Sequence, residues 1–167
     1  MKSCSFFGHR DTPQTEELKE KVREMVEHLI VEEGVDIFLF GSRSSFDELC
    51  HMVVTELKEK YPRIQRIAYL CKHEGGCFVE KGEDEAQFIK EHLGKEVYVR
   101  EFEDIKKSDR INSAGRASYV ERNQDMINDC NFVLVYFNEN VKKASGTMIA
   151  YKYAKGKKKI LINVYFA

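Results

Sequence analysis

Short apolar runs of strand-forming residues alternate along this chain with longer segments whose apolar residues recur at helical spacing. The run Val35–Phe40 stands between two such helical segments, at about residues 14–33 and 46–57. A strand that lacks polar alternation is buried on both faces, and strands that alternate with helices run parallel. The sequence therefore predicts an α/β fold, a Rossmann-like three-layer α/β/α sandwich with a mainly parallel sheet of about six strands.

The remaining elements are predicted from the same two periodicities. Strands are expected at residues 64–70, 96–102, 132–137 and 159–164, helices at residues 83–93, 117–130 and 146–155, and a loop at residues 104–116. The chain has 167 residues, two prolines and no repeat or low-complexity segment. Residues 1–167 are therefore expected to form one domain.

Charge and hydropathy limit the expected partners and location. The formal net charge of −1 gives no overall attraction to nucleic acid, which is not an expected partner, and the lysine-rich stretch 155–159 is expected to be a solvated helix end. Because no apolar stretch is long enough for a signal peptide or a membrane span, no membrane contact and a cytoplasmic location are expected.

The cysteines are expected to be reduced and to play no part in metal binding. Five cysteines at irregular spacing do not suggest a disulfide framework, and Cys4, Cys50 and Cys130 fall at apolar core positions. The histidines and cysteines at residues 50–51 and 71–77 lack the matched pairs that a tetrahedral zinc site usually requires. No metal and no cofactor are predicted.

Two of the apolar runs end in a glycine that is followed, two residues later, by an arginine. The two turns are Gly8-His9-Arg10 and Gly41-Ser42-Arg43. Glycine lets a backbone approach a ligand closely, and arginine pairs with phosphate through two parallel hydrogen bonds. Either turn alone is as well explained by a tight turn with a solvated arginine. Together, at the carboxyl ends of neighbouring parallel strands, they favour an anion site, to which the turn histidine is a weaker candidate contributor.

Two further groups of polar residues are expected near that edge of the sheet. The turn Ser145-Gly146-Thr147 opens a predicted helix after an apolar strand, so it is either an ordinary helix cap or a phosphate cradle. The second group lies near the start of the preceding helix and comprises Tyr119, Glu121, Arg122 and Asn123. These residues are either surface groups or ligand contacts, with the arginine reaching the site and the glutamate contacting a ribose or a base edge.

The combination of these motifs resembles the SLOG superfamily, which is named for the Smf/DprA and Lonely Guy proteins. The similarity rests on Phe-Gly-His-Arg at residues 7–10, on the helix that carries residues 119–123 and on the turn at residues 145–147. It covers nearly the whole chain and is greatest with the YpsA-like branch of the superfamily. The resemblance implies a Rossmann-like sheet that binds nucleotides or nucleotide-derived ligands and, by analogy, pairing as a homodimer.

Lonely Guy enzymes cleave the base from nucleoside monophosphates, with a Glu-Arg-containing helix and a Gly-Thr turn that is followed by a glutamate. Glu121 and Arg122 match the first motif, and the Gly146-Thr147 pair matches the turn. Met148, Ile149 and Ala150 follow, so the carboxylate that stabilises an oxocarbenium-like centre is missing.

Three functions are consistent with these features. The first is binding or sensing of a nucleotide or nucleotide-derived ligand. The second is an N-glycosidase that acts on a nucleoside monophosphate, with Glu121 and Arg122 as the catalytic candidates. The third is a nucleic-acid module like that of the DprA relatives, which the neutral net charge and the lack of a row of exposed aromatic residues disfavour.

Overall fold

A computed structural model describes residues 1–10, 12–41, 44–71, 91–92, 100–107, 116–141 and 145–166 of the chain. Its six strands are β1 (Lys2–Gly8), β2 (Val35–Phe40), β3 (Gln65–Leu70), β4 (Asp104–Lys107), β5 (Phe132–Tyr136) and β6 (Ile160–Asn163). They form one parallel sheet in the order β4-β3-β2-β1-β5-β6. The direction of winding reverses between β1 and β5, where open α/β sheets leave a crevice at their carboxyl edge.

Four helices follow strands and therefore begin near that carboxyl edge. They are α1 (Glu16–Val31), α2 (Ser45–Lys60), α3 (Arg116–Asp129) and α4 (Gly146–Gly156). Side-chain oxygens of Thr15, Ser44 and Ser145 cap α1, α2 and α4 by accepting a hydrogen bond from a backbone N–H three residues later. The α1 segment ends before Gly34, whose φ of 72° is costly for residues that carry a side chain.

The sheet is covered by helices on both faces, as the unbroken apolar runs require. Phe6 and Phe38 pack with residues of α1 and α2 in one core cluster. Phe7 and Leu39, their neighbours along the strands, pack with residues of α3 and α4 in the other. Consecutive strand residues therefore enter opposite cores, which confirms the predicted three-layer α/β/α architecture.

The predicted helices and strands are largely confirmed, but the region before α3 corrects two of them. The predicted strand at residues 96–102 is wrong where it can be compared, because residues 100–102 are not in a strand and residues 96–99 lie outside the described residues. The predicted loop at residues 104–116 instead begins with β4, which pairs with β3 at the edge of the sheet. The sequence did not predict β4 because an edge strand has exposed positions, which need not be apolar. Of the helix predicted at residues 83–93, only residues 91–92 are described, and both are helical.

The expected role of the cysteines in the core is confirmed for the three that were singled out. Cys4, Cys50 and Cys130 are buried and carry free thiols, and burial raises the pKa of each. Within the described ranges, none of the helices has the length and apolar character that crossing a bilayer would require.

Candidate functional site

The loop that follows β1 is fixed to the first turn of α2. The Ser45 hydroxyl donates a 2.7 Å hydrogen bond to the Arg10 carbonyl and accepts one of 2.9 Å from the Thr12 N–H. The backbone N–H of Ser45 also donates to the Arg10 carbonyl, at 3.3 Å. The Arg10 side chain itself is exposed. The fold therefore holds the backbone of this arginine in place and leaves its charge facing solvent at the carboxyl edge of the sheet.

His9 joins the two strands that border the crevice. Its Nε2 accepts a 3.2 Å hydrogen bond from the Asn138 N–H, just beyond β5, and its ring packs edge-on against Tyr136. Burial lowers the pKa of His9, which favours the neutral ring that this hydrogen bond requires. With Nε2 accepting, the ring proton is assigned to Nδ1. The structure thus gives His9 a role in joining β1 to the loop after β5.

Gly8 and Gly41 lie where side chains from the helices fill the space that a Cβ atom would need. A Cβ atom on Gly8 would collide with the Phe46 ring of α2. On Gly41 it would lie 2.5 Å from Met126 Sδ and 3.1 Å from Arg122 Nε, both of α3. Close packing of helices against strand ends is therefore enough to explain both glycines. A contact of either glycine with a ligand remains a prediction.

Arg122 lies beside Gly41, at the carboxyl end of β2. The residue is 4% exposed, its guanidinium lies 5.2 Å from the centre of the Tyr119 ring, and its Nε and Nη2 each lie 3.4 Å from Asn123 Oδ1. Glu121 is half-buried in the same turn of α3. The structure thus brings the predicted helix motif to the predicted edge of the sheet. Ser42 and Arg43 lie outside the described residues.

The turn Ser145-Gly146-Thr147 opens α4 directly after the loop that follows β5. Ser145 Oγ accepts a 3.1 Å hydrogen bond from the Met148 N–H. Gly146 is exposed, and a Cβ atom there would have no neighbour within 4 Å, so space for a ligand remains at this helix start. The first turn of α4 contains no acidic residue. The carboxylate required by the N-glycosidase alternative is therefore absent from this turn.

Sequence reasoning did not identify a buried ion pair at the same edge. The Asp47 side chain is fully buried, and its Oδ2 accepts a 2.5 Å hydrogen bond from Arg100 Nη2. The Arg100 guanidinium lies over the rings of Phe40 and Phe102, at 5.9 and 5.4 Å from their centres. Burial raises the pKa of Asp47 to about 6, although the charge of Arg100 acts in the opposite direction.

The sequence does contain a pattern that includes Asp47, but that pattern indicates only a cap at the start of the helix. Ser44 and Asp47 have the spacing of a helix capping box, and the Asp47 N–H donates a 3.1 Å hydrogen bond to Ser44 Oγ. The carboxylate instead pairs with an arginine 53 residues further along the chain. No local pattern predicts that pairing.

Of the residues considered for metal binding, His51 has other partners in the fold, and residues 72–77 lie outside the described residues. His51 is buried, and its Nε2 donates a 2.8 Å hydrogen bond to the Glu101 carbonyl, while Nδ1 lies 3.4 Å from Thr55 Oγ1. Burial lowers the pKa of His51 to about 4. Across the ranges that the structure describes, no three histidine, cysteine or acidic side chains are grouped as a metal site would need.

Comparisons with known proteins identify a similar fold. No protein-family model matches the chain, and no curated protein matches its sequence. Among solved structures, the DNA processing protein A (DprA) of Helicobacter pylori matches with a TM-score of 0.58 and 16% sequence identity. The match covers 96% of this chain but only 63% of the DprA chain. This similarity supports the Rossmann-like fold and agrees, at the level of the fold, with the resemblance to the SLOG superfamily.

The same comparison corrects one expectation. The solved structure of DprA concerns its mode of binding single-stranded DNA. The expectation that nucleic acid is not a partner, which rested on overall charge, was therefore wrong. The physical reason is that net charge averages over the whole surface, whereas a phosphate responds to the charges close to it. Here Arg10, Arg100 and Arg122 lie at the carboxyl edge although the net charge is −1.

Proposed function

We propose that this chain binds a nucleotide or nucleotide-derived ligand at the carboxyl edge of β1, β2 and β5. The observation that supports this most strongly is the attachment of Arg10 to Ser45 at the start of α2. It fixes the backbone of a residue with an exposed, charged side chain near the point where the direction of winding reverses, the usual ligand position in open α/β sheets. Arginine at such a position suits a phosphate group.

The other predicted residues are assigned roles from their positions. The N–H groups at the start of α4, in the turn Ser145-Gly146-Thr147, share the phosphate with Arg10. Arg122 and Glu121 contact the ribose or the base from α3, with Tyr119 and Asn123 supporting the arginine. Arg43 is included from the sequence alone. Membership of the YpsA-like branch, a cytoplasmic location and pairing as a homodimer also remain predictions.

A second candidate ligand is the phosphodiester backbone of single-stranded nucleic acid. The observation that favours it is the similarity in fold to DprA, whose structure is described by its single-stranded DNA binding mode. A phosphodiester and a nucleotide phosphate present the same anionic oxygens, so Arg10 would serve either ligand. Only the size and continuity of the ligand differ between the two candidates.

Binding measurements with two variants test the proposal. Calorimetry with nucleoside mono-, di- and triphosphates, and fluorescence anisotropy with a labelled oligothymidylate, are performed on the wild type, Arg10→Ala and Arg63→Ala. Arg63 is also exposed but lies between α2 and β3, at the amino edge of the sheet. We expect Arg10→Ala to weaken binding about fivefold to tenfold and Arg63→Ala to leave it unchanged.

The outcomes separate the candidates. Binding of a mononucleotide that depends on Arg10 supports the first, and binding of the oligonucleotide alone supports the second. If neither ligand binds, or if both variants lose the same affinity, the proposed site is wrong.

A further inference from the structure

Positive charge is concentrated where α4 ends and β6 begins. Residues 141–167 contain seven lysines and no acidic residue, whereas the rest of the chain has more acidic than basic side chains. Five of these lysines fall within eight positions and form what we call the lysine cluster: Lys152, Lys155, Lys157, Lys158 and Lys159. All but the last are exposed. The net charge of −1 therefore conceals a strongly basic surface.

Two tyrosines of α4 hold side chains of the lysine cluster in place. Lys155 Nζ lies 5.3 Å from the centre of the Tyr151 ring, and Lys157 Nζ lies 5.5 Å from the centre of the Tyr153 ring. The Tyr153 hydroxyl also donates a 2.8 Å hydrogen bond to Asn128 Oδ1, which fixes this ring to α3. A lysine that already lies on a ring loses less side-chain entropy when it binds a partner.

No carboxylate neutralises the lysine cluster in the part of the chain that the structure describes. None of the five lysines forms an ion pair there. Two carboxylates close to the tyrosines and to Asn128 have other partners. Glu139 accepts a 2.6 Å hydrogen bond from the Tyr151 hydroxyl, and Asp129, next to Asn128, forms an ion pair with Lys106. The cluster therefore presents positive charge that the protein does not use internally.

Lys158 adopts a backbone conformation that is costly for a lysine. Its φ of 57° lies in the left-handed region, and its N–H donates a 3.1 Å hydrogen bond to the Lys155 carbonyl as α4 ends. Glycine is the usual residue at such a helix end, because a side chain there costs stability. The favourable interaction of a cation with a helix end explains Lys155, which lies in the last turn, but not the lysines that follow. Strain of this kind points to a function of the side chain.

We propose that the lysine cluster binds the phosphodiester backbone of single-stranded nucleic acid. Lysine is a compact point charge that neutralises a phosphate without a fixed geometry, so a group of lysines suits a chain of phosphates. Tyrosines interleaved with the lysines add the aromatic rings that single-strand binders combine with positive charge. Because α4 ends and β6 begins at the amino edge of the sheet, this surface is separate from the proposed ligand site at the carboxyl edge.

An anionic membrane is a less suitable partner for the same surface. A helix that binds a bilayer inserts an apolar face, but Ala150 and Ala154 of α4 are buried against the sheet. Ile149 and Ile160 are exposed, but one lies in the first turn of α4 and the other follows its end, so they do not form one apolar surface. Phosphatidylserine vesicles are therefore included in the test as a competing partner.

Fluorescence anisotropy with a labelled oligothymidylate, at several salt concentrations, tests the inference. The variant Lys155→Gln/Lys157→Gln removes two charges and two ring contacts. A matched control is Lys21→Gln/Lys60→Gln, since these lysines of α1 and α2 also lie over aromatic rings, at 4.9 and 5.4 Å from the ring centres. At about 0.1 M salt we expect the first variant to bind about twentyfold more weakly, with a salt dependence lower by about 0.7 for each lysine. The control should bind like the wild type.

A third variant separates binding from stability. Lys158→Gly places glycine at the left-handed position, so it should unfold at a higher temperature than the wild type. It should nevertheless bind the oligothymidylate about fivefold more weakly at about 0.1 M salt, because one phosphate contact is lost. Unchanged oligothymidylate binding by this variant would exclude Lys158 as a contact.

Three results would overturn the inference. The first is equal oligothymidylate binding by Lys155→Gln/Lys157→Gln and its control. The second is oligothymidylate binding that Arg10→Ala abolishes and the lysine variants leave unchanged, which would support the proposed function and place the oligonucleotide at the carboxyl edge. The third is binding of phosphatidylserine vesicles or polyglutamate without binding of oligothymidylate. Mononucleotide affinity should be the same in the wild type and in Lys155→Gln/Lys157→Gln, so failure of the proposed function is detected separately.

Discussion

The Ser45 hydroxyl donates a 2.7 Å hydrogen bond to the backbone carbonyl of Arg10, 35 residues earlier in the chain. The same hydroxyl accepts a hydrogen bond from the Thr12 N–H. Through these contacts the loop after β1 and the first turn of α2 form one unit. The position of Arg10 therefore depends on a residue that carries no charge and belongs to neither of the two glycine turns.

Replacing Ser45 with alanine should weaken ligand binding as well as stability. The variant loses the hydrogen bonds to Arg10 and Thr12, and we expect the free energy of unfolding in urea to fall by about 1–2 kcal/mol. A matched control is Thr15→Ala, which removes the cap of α1 at a cost of about 1 kcal/mol without a contact to Arg10. Only Ser45→Ala should reduce nucleotide affinity. An equal affinity loss in both variants would show that stability alone governs binding.

Adding a methyl group to Gly8 should destabilise the fold. The new Cβ atom would overlap the Phe46 ring, which has no room to move in the core, so Gly8→Ala is expected to cost about 1–3 kcal/mol. Gly156→Ala is the control, because a Cβ atom there meets nothing within 4 Å. Thermal unfolding of the two variants measures the difference. If Gly8→Ala unfolds at the same temperature as Gly156→Ala, α2 packs less tightly on β1 than described.

The ion pair between Arg66 and Glu103 should contribute strongly to the attachment of the segment before β4. Glu103 accepts hydrogen bonds from Arg66 Nε at 2.9 Å and Nη2 at 2.6 Å, and Arg66 is 5% exposed. Removing the carboxylate that pairs with a buried arginine is expected to cost about 3 kcal/mol, so Glu103→Ala should unfold at clearly lower urea concentration, even though Arg66 also donates to Thr55 Oγ1. Glu20→Ala, which affects an exposed pair with Arg23, should change stability by less than about 0.5 kcal/mol.

The stability of the wild type should change little between pH 4.5 and 6.5, because two buried groups have opposite effects. The pKa of Asp47 is raised from 3.8 to about 6, so its stabilising contribution is present at low pH and is lost as the pH rises to 6. The pKa of His51 is lowered from 6.5 to about 4, so its contribution is present above pH 6.5 and is lost as the pH falls. Each shift corresponds to about 3 kcal/mol.

Single substitutions should reveal the two opposing effects. With Asp47→Asn, the free energy of unfolding should increase from pH 4.5 to 6.5, because only the effect of His51 remains. With His51→Gln it should decrease over the same range. Urea unfolding at several pH values provides the measurement, and parallel pH profiles for all three proteins would contradict both assigned pKa shifts.

Much of the fold was predictable because the buried apolar residues recur in the sequence at the period of the helix or strand that carries them. The predicted strand Val35–Phe40 agrees with β2 at both ends, since a strand covered on both faces must be apolar throughout. The strand β4 was missed for the opposite reason. It lies at the sheet edge and contains one apolar residue, Ile105, so its pairing with β3 leaves no pattern in the sequence.

The sequence by itself determined the α/β class and most of the helices and strands. It also predicted three glycine-containing turns near one edge of the sheet. Those features depend on local periodicity, turn residues and helix caps, which act over a few residues. Only the tertiary structure showed that Gly8 makes room for Phe46 and that Asp47 pairs with Arg100. These two contacts join residues that are 38 and 53 positions apart in the chain. Because contacts of this kind form only when the chain folds, no local sequence pattern predicts them.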